Sequence, residues 1–147
     1  MIAGKLTGAT LTAAAGLMDV FCGADGKEYL YVQAGSAIAQ YDVVTVTEAG
    51  SAVPATKALV EDGHQIGVSQ VAIASDSYGY VQIRGVAEMA ALANCAADVP
   101  LYTSATAGSL DDTATSQAKV SGIVATEAAG GTAENIASFM AVRPHFS

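Results

Sequence analysis

A short β-type sequence occurs twice in the chain, as D-V-V-T-V at residues 42–46 and as D-V-P-L-Y at residues 98–102. In each copy an aspartate precedes a run of mainly apolar residues, including the β-branched and aromatic types that are enriched in strands. An aspartate at such a position caps a turn with its carboxylate. Each copy therefore predicts a turn that leads into a strand.

Three further pairs of matching segments follow these strands in the same order and at similar spacing. The first pair is an Ala-Gly-Ser turn, at 49–51 and 107–109. The second is a glycine beside β-branched residues, at 66–69 and 121–124. The third is a strand that ends in arginine, at 81–84 and 140–143. Four matches in order indicate an internal repeat, at about residues 42–84 and 98–143. Each unit is too small to bury its own apolar face, so we expect two related meanders that share a core in one small β-barrel or β-sandwich.

The rest of the body also has a β pattern. Strand-like runs at 29–33, 65–72 and 78–87 are separated by clusters of turn residues, and short strands at such intervals are typical of a sandwich or barrel. The fold class predicted is therefore all-β, with a body at 29–147 and at most one short helix. The segment Glu88–Ala97 is the helical candidate because its intrinsic helix propensity is high. It could equally continue the strand that ends at Ala87.

Residues 1–28 differ from the body in composition. Gly, Ala and Thr dominate there, and single large apolar residues are spaced along them. Glycines at 8, 16 and 23 would interrupt a long helix. Such a segment could be a frayed terminus, but the spaced apolar residues favour an extended N-terminal arm that docks on another surface. The candidate contact residues are Ile2, Leu6, Leu11, Leu17, Met18 and Phe21.

Composition and charge exclude several kinds of partner. The hydrophobic fraction is 52%, but 31 of the 147 residues are alanine, and only 14% are charged, against about 25% in an average soluble domain. A surface with so few charges is suited to being covered by other protein. The net charge is −8 with six scattered cations, so we expect neither nucleic acid nor an acidic membrane as partner.

No catalytic or metal-binding set can be assembled from the sequence. His64 lies in a turn-rich stretch at 61–64 that is typical of a solvated loop, and neither a nucleophile elbow nor a phosphate-binding glycine motif is present. We therefore predict a protein that is not an enzyme and that needs no cofactor or metal. The tyrosine pairs at 29/31 and 78/80 are typical of half-buried strand residues.

Cys22 and Cys95 do not form a spaced pair, so we expect two free thiols in a reducing cytoplasm. The segment 6–18 is too polar for a signal peptide, which predicts that the chain is made in the host cytoplasm and is not secreted. No run of apolar residues is long enough to span a membrane.

Arg84 and Arg143 are the only arginines, and they occupy equivalent positions in the repeat. They could be two exposed strand ends. Alternatively, each could form a salt bridge across a subunit interface, because the guanidinium group is well matched to carboxylates. Both interpretations remain open at this point.

The order of these motifs resembles small tailed-phage capsid decoration (cement) proteins. The stretch Asp98–Leu110 is the most similar, followed by Gln65–Val86, and the resemblance covers roughly residues 29–143. It implies a β-barrel or β-tulip body without catalysis that binds the outer surface of a capsid. It also implies the major capsid protein as partner, trimers at local three-fold positions and a terminal arm on the shell.

The leading hypothesis is therefore a virion structural protein that stabilises a phage head from its outer surface as a homotrimer. The alternative is a particle-displayed module that binds a host surface or a glycan. Binding of glycans or cells by the isolated chain, without affinity for a capsid, would favour the alternative.

Overall fold

The computed structural model of the protein describes residues 16–61 and 64–146. In this part of the chain the fold is all-β with one short α-helix, as predicted. The strands are β1 (Val20–Cys22), β2 (Glu28–Ala34), β3 (Val43–Val46), β4 (Ser51–Pro54), β5 (Gln65–Val68), β6 (Tyr78–Ala91), β7 (Leu101–Thr103), β8 (Leu110–Asp111), β9 (Lys119–Ser121), β10 (Val124–Ala125), β11 (Glu134–Met140) and β12 (His145–Phe146), and the helix α1 is Lys57–Glu61.

Five of the strands close into a small barrel. They pair in the order β2, β4, β3, β5 and β6, and β6 returns to pair with β2. The β2–β4 pair is parallel, and the other pairs are antiparallel. Closure removes the exposed sheet edges that a small open sheet would leave. The interior is filled by apolar residues from β2, β3, β4 and β6 and from the segments between strands: Leu30, Val32, Ala34, Ile38, Val44, Val46, Ala52, Ile73, Val81 and Ile83.

The remaining strands repeat this arrangement beside the barrel. The second half of β6 pairs in parallel with β8 at Ala91 and Leu110, just as β2 pairs in parallel with β4 at Ala34 and Ala52. Antiparallel pairs β7–β8 and β7–β9 follow, as β3–β4 and β3–β5 do in the barrel. The fold is therefore built from two related meanders, which the sequence repeat predicted.

Backbone conformation and hydrogen bonding also repeat between the two meanders, although one pair of equivalent residues is shifted by one position from the sequence match. Gly50 and Gly108 both have φ of +86°, so the two Ala-Gly-Ser turns need glycine for the same reason. The amide of Tyr41 donates to the Ser69 carbonyl, and that of Asp98 donates to the Ala125 carbonyl. Both donors have a positive φ. Asp98 is thus structurally equivalent to Tyr41. The sequence repeat had matched Asp98 with Asp42, which is the next residue.

Strand β3 is the wall that the two halves share. All four of its residues are buried, because its two faces contact different cores. Val44 and Val46 point into the barrel. Val43, with Ile66 and Val68 of the neighbouring β5, belongs to the core of the second half. The two meanders therefore have separate cores on the two sides of one wall, and the expectation of a single shared core is wrong.

Strand β6 connects the two halves along its length. Val81 and Ile83 lie in the first core, and Met89 and Ala91 lie in the second. Because β6 pairs with β11 from Gly85 to Ala91 and its inward residues alternate, the segment after Ala87 continues as a strand. The helical alternative for Glu88–Ala97 is wrong, since cross-strand pairing and alternate burial outweigh helix propensity there.

A buried glutamine satisfies the backbone where β6 passes from one half to the other. The register with β2 shifts between Glu28 and Tyr29, and Gly85 has φ of +93°. The side-chain amide of Gln82, which is 1% exposed, donates to the carbonyls of Arg84 at 2.9 Å and Val86 at 2.7 Å. These bonds satisfy carbonyl groups at the irregularity, where leaving such groups without a partner is costly.

Part of the predicted arm belongs to the sheet in this structure. Strand β1 pairs antiparallel with β2, and Met18 packs against the first core. The phenyl ring of Phe21 meets the ring of Tyr80 edge-to-face, with 5.0 Å between centroids. Residues 1–15 lie outside the described residues, so an arm at 1–28 stays a prediction.

The turn at Gly108 joins the second half to the first. Its carbonyl accepts from the amide of Val43 at 2.8 Å, and its amide donates to the carbonyl of Ala55 at 3.0 Å. A Cβ atom at Gly108 would lie 2.7 Å from Cγ of Asp42. The turn therefore requires glycine both for its φ and for the close approach of the two halves.

We expect Gly108→Ala to destabilise the protein clearly more than Gly26→Ala. Gly26→Ala is the control. Both glycines have positive φ, but nothing lies within 4 Å of a Cβ at Gly26. Alanine at Gly26 therefore costs only the conformational strain of a positive φ, about 1–2 kcal/mol. At Gly108 the collision with Asp42 adds to this cost, by about 1–3 kcal/mol. Urea unfolding of both variants measures the difference, and equal losses would contradict the close approach.

Candidate interaction surface

Two arginines converge on one carboxylate at a corner of the sheet. Glu28 begins β2 and lies opposite Arg84 of β6 in register, while Arg143 follows the end of β11. Nη1 of Arg84 lies 3.3 Å from Oε2 of Glu28, and Nη2 and Nε of Arg143 lie 3.0 and 3.2 Å from Oε1. The sequence predicted that these arginines are equivalent, and the fold brings both to the same acid.

The ion cluster is formed within one chain. This supplies carboxylate contacts for Arg84 and Arg143 that do not require another subunit. Both guanidinium groups nevertheless remain about half exposed, whereas the Glu28 side chain is 17% exposed. The assignment of the two arginines to a subunit interface therefore stays a prediction.

The arginines lower the pKa of Glu28. The hydrogen bond from Arg143 is the largest cause, burial acts in the opposite direction, and the hydrogen bond from Arg84 lowers the pKa further. Two neighbouring side chains add one charge of each sign. The aliphatic stem of Lys27 packs at Gly85, and Asp25 lines a shallow depression together with Arg84. At this corner, two guanidinium groups thus share one carboxylate.

Large apolar side chains are exposed beside the ion cluster. Val86 is 57% exposed, Phe139 42% and Val142 57%. Val86 and Phe139 are direct cross-strand partners on β6 and β11, and Val142 lines the same depression as Glu28, Arg84 and Arg143. We call this surface the basic–apolar face and define it as Arg84, Val86, Phe139, Val142 and Arg143.

Two more exposed apolar residues lie at the start of the described chain. Leu17 and Val20 are the other exposed large apolar residues among residues 16–59 and 64–144, where side-chain burial is described. Asp19 lies between them in sequence and is also exposed, but it is opposite Tyr31 of β2 whereas Val20 is opposite Leu30, so the side chains of Asp19 and Val20 point to different faces. Its carboxylate accepts a hydrogen bond from the amide of Gly16 at 3.0 Å. We call Leu17, Asp19 and Val20 the acidic edge.

The predicted capsid-contact residues divide into three groups. Ile2, Leu6 and Leu11 lie outside the described residues. Leu17 is exposed on the acidic edge, where it packs against the Gly50 turn. Met18 and Phe21 are partly buried against the body. The structure therefore brings Leu17 to an accessible surface and uses Met18 and Phe21 to attach the segment to the barrel.

Three tyrosines, Tyr31, Tyr78 and Tyr80, form one packed aromatic group. The ring of Tyr31 stacks on that of Tyr78 at 6.0 Å and packs at a tilt on that of Tyr80 at 4.9 Å. Tyr31 is only 2% exposed. Because the central ring is buried between its neighbours, this group is part of the packing of β2 on β6 and offers no flat exposed platform for a sugar.

The described residues contain little that could perform chemistry. No group of three or more His, Cys, Asp or Glu side chains within them could hold a metal ion. Both cysteines are free thiols. Cys22 is exposed, and burial raises the pKa of Cys95 to about 11, which keeps that thiol protonated near neutral pH. The surfaces described above are suited to non-covalent contact.

Sequence reasoning missed Glu28 and the three apolar residues of the basic–apolar face. Glu28 precedes Arg84 by 56 residues, and no local pattern links them before the β2–β6 pairing is known. Val86, Phe139 and Val142 are apolar residues in or beside β strands, the pattern that ordinarily indicates core. Their exposure follows from the position of β11, which the sequence alone does not determine.

The two arginines are expected to affect the pKa of Glu28 unequally. Arg143→Gln should raise it toward its ordinary value of 4.5 more than Arg84→Gln does, because the hydrogen bond from Arg143 is the larger cause of the lowering. Side-chain carboxyl titration by NMR measures this, with Lys119→Gln as the control. A larger rise in the Arg84 variant would contradict the geometry.

The same cluster predicts how stability depends on pH. The pKa of Glu28 is lower in the folded than in the unfolded chain. The ionised carboxylate therefore contributes fully to the free energy of unfolding when the pH is above the pKa of Glu28 in the unfolded chain. This contribution is lost as the pH falls through the lower pKa of Glu28 in the folded chain. Glu28→Gln should therefore reduce the free energy of unfolding at neutral pH and have no such effect in strong acid.

Comparison with known proteins identifies the family. No curated protein matches the chain. The model of a family described as phage cement protein matches residues 24–143, which include strands β2 to β11 and both arginines. Within the described residues, no helix is both long and apolar enough to cross a membrane. A cement protein is a structural component of a phage capsid, which agrees with a body whose notable features are contact surfaces. On this match, the chain belongs to the phage cement protein family.

Proposed function

We propose that this chain stabilises a phage head by binding the outer surface of the assembled capsid as a homotrimer, with the N-terminal arm on the shell and with no enzymatic role. The match to the cement family over residues 24–143 carries this proposal. The major capsid protein is the partner, and the virion is the location. Synthesis takes place in the host cytoplasm.

The surface chemistry supports a position on the outside of the shell. The net charge of −8 would repel packaged nucleic acid, whereas a protein that faces the genome requires clustered cations. Only 14% of the residues are charged, and exposed apolar side chains are grouped in patches. Many modest contacts repeated over a shell can hold such a protein firmly, because multivalent attachment multiplies weak affinities.

The proposal is tested by adding the purified chain to closed, expanded shells of the phage that encodes it. We expect the chain to co-sediment with the shells and to raise the temperature at which they break. Because a folded domain added from solution meets only the outside of a closed shell, co-sedimentation also tests the side of attachment. Absence of co-sedimentation would contradict the proposed function.

The arm is tested separately with matched substitutions. Replacement of Ile2, Leu6 and Leu11 by serine should weaken shell binding at least about tenfold, as loss of buried apolar anchors does at other interfaces. Replacement of Thr7, Thr10 and Thr12 by serine changes the same segment without removing large apolar groups and is the control. Equal binding by the two variants would contradict an apolar arm.

The structure fixes where a deletion can end. Leu17, Met18 and Phe21 contact the body, so a deletion that reaches residue 20 would remove packing as well as the arm. Removal of residues 1–15 alone leaves those contacts in place. Its thermal unfolding should match that of the full chain while its shell binding decreases.

A further inference from the structure

The strand pair β6–β11 presents an ordered row of side chains to solvent. Burial alternates along this part of β6, so Arg84, Val86 and Glu88 are exposed between buried neighbours. Phe139 and Ala137 of β11 lie directly opposite Val86 and Glu88, and the side chains of such cross-strand partners share one face of the sheet. We call Arg84, Val86, Glu88, Ala137 and Phe139 the β6–β11 face.

The centre of this face is apolar and accessible. Val86 is 57% exposed and Phe139 is 42% exposed, and the two side chains are neighbours across the strands. Arg84 borders them, since it lines the same depression as Phe139. Single exposed apolar residues are ordinary on a protein surface, but grouped ones with a polar border indicate an interaction site. The β6–β11 face therefore has the composition of an interface.

The two ends of the face carry opposite charges. Arg84 lies two residues before Val86 on β6, and Glu88 lies two residues after it. Each charged residue is therefore about 7 Å from Val86 along the strand. The order along the face is a cation, an apolar centre and a carboxylate.

Both charged groups can accept another partner. Arg84 directs Nη1 to Glu28 at 3.3 Å and is 52% exposed, and a guanidinium group has further N–H donors. Asp25 lines the adjoining depression but forms no ion pair with Arg84. The side chain of Gln70 holds the backbone of Glu88, while the Glu88 carboxylate has no partner among the described residues.

A two-fold axis makes this face complementary to itself. When two copies pack face to face, an axis that lies in the interface and crosses the strands at Val86 reverses the strand direction in the second copy. Val86 and Phe139 then meet their own counterparts, and Arg84 of each copy meets Glu88 of the other. Facing sheets pack about 10 Å apart, a gap that an arginine and a glutamate side chain together can span. An axis parallel to the strands would instead place Arg84 against Arg84, so charge selects the first orientation.

We propose that the β6–β11 face of one copy binds the same face of a second copy about a two-fold axis at Val86. Such a contact is isologous, because the same patch is used on both sides. It buries the two apolar centres against each other and forms two Arg84–Glu88 ion pairs between the chains. The contact goes beyond the proposed function, since it is distinct from the three-fold contact of a trimer. On a shell it links neighbouring trimers, a consequence that rests on that function, and copies held close together need only a weak contact.

The contact is tested on the full chain without any shell, so its failure is separate from failure of capsid binding. Sedimentation equilibrium of the wild-type chain should show an even number of copies, which is a dimer, or a hexamer if the chain also forms trimers. Glu88→Arg should weaken this association at least about tenfold, because it places like charges at both ion pairs. Glu48→Arg, the same change at an exposed turn position, is the control and should leave association unchanged.

Exchange of the charges tests the pairing of position 84 with position 88. Both positions are cationic in Glu88→Arg and both are anionic in Arg84→Glu, so neither variant should pair with itself. A mixture of the two variants offers opposite charges at both contacts, and we expect a one-to-one complex there. The double variant Arg84→Glu/Glu88→Arg should also regain association. Damage to the fold of either single variant would not be reversed by mixing.

Circular dichroism and thermal unfolding confirm that each variant is folded. If Arg84→Glu does not fold because it loses its pairing with Glu28, Phe139→Ser replaces it. That variant keeps the ion cluster and should weaken association at least about tenfold through loss of the apolar centre. The proposal is overturned by a wild-type chain that forms no even-numbered species up to about 1 mM, where even weak specific contacts are populated. It is also overturned if Glu88→Arg or Phe139→Ser associates like the wild type, or if the mixture of folded charge variants forms no complex.

Discussion

The whole fold depends on burial of β3 and β5 from both sides. Val44 and Val46 fill the closed barrel, while Val43, Ile66 and Val68 belong to the second core. Each fully buried valine or isoleucine contributes roughly 1.5–3 kcal/mol, so neither half can separate without exposing one face of this wall. Because the wall is shared, two meanders with few large apolar residues form one body.

The repeat made much of this architecture predictable. Residues 42–46 and 98–102 indicated equivalent strands, and the two Ala-Gly-Ser turns contain glycines with the same positive φ. The one-residue shift between Asp42 and Tyr41 was not predictable, because it depends on the hydrogen bonds to Ser69 and Ala125. The strand continuation through Met89 was also ambiguous. Local propensity favoured a helix there, and only pairing with β11 decides the outcome.

The contact surfaces were the least predictable part, for a physical reason. An exposed Phe139 and a buried Ile136 lie on the same strand, and their apolar character is the same in sequence. Glu28 reaches its arginines only because β2 and β6 pair. The low charge of the chain was evident from the sequence. The structure places the ion cluster of Glu28, Arg84 and Arg143 beside three exposed apolar residues, Val86, Phe139 and Val142.

The central proposal is that this cement protein stabilises a phage capsid by lying on its outer surface. Cryo-electron microscopy of shells reconstituted with the chain tests this most directly. We predict density for the two-meander body, including residues 24–143 that match the cement family, on the outside of the shell. Density confined to the interior, or shells that remain bare at saturating chain concentration, would contradict the account.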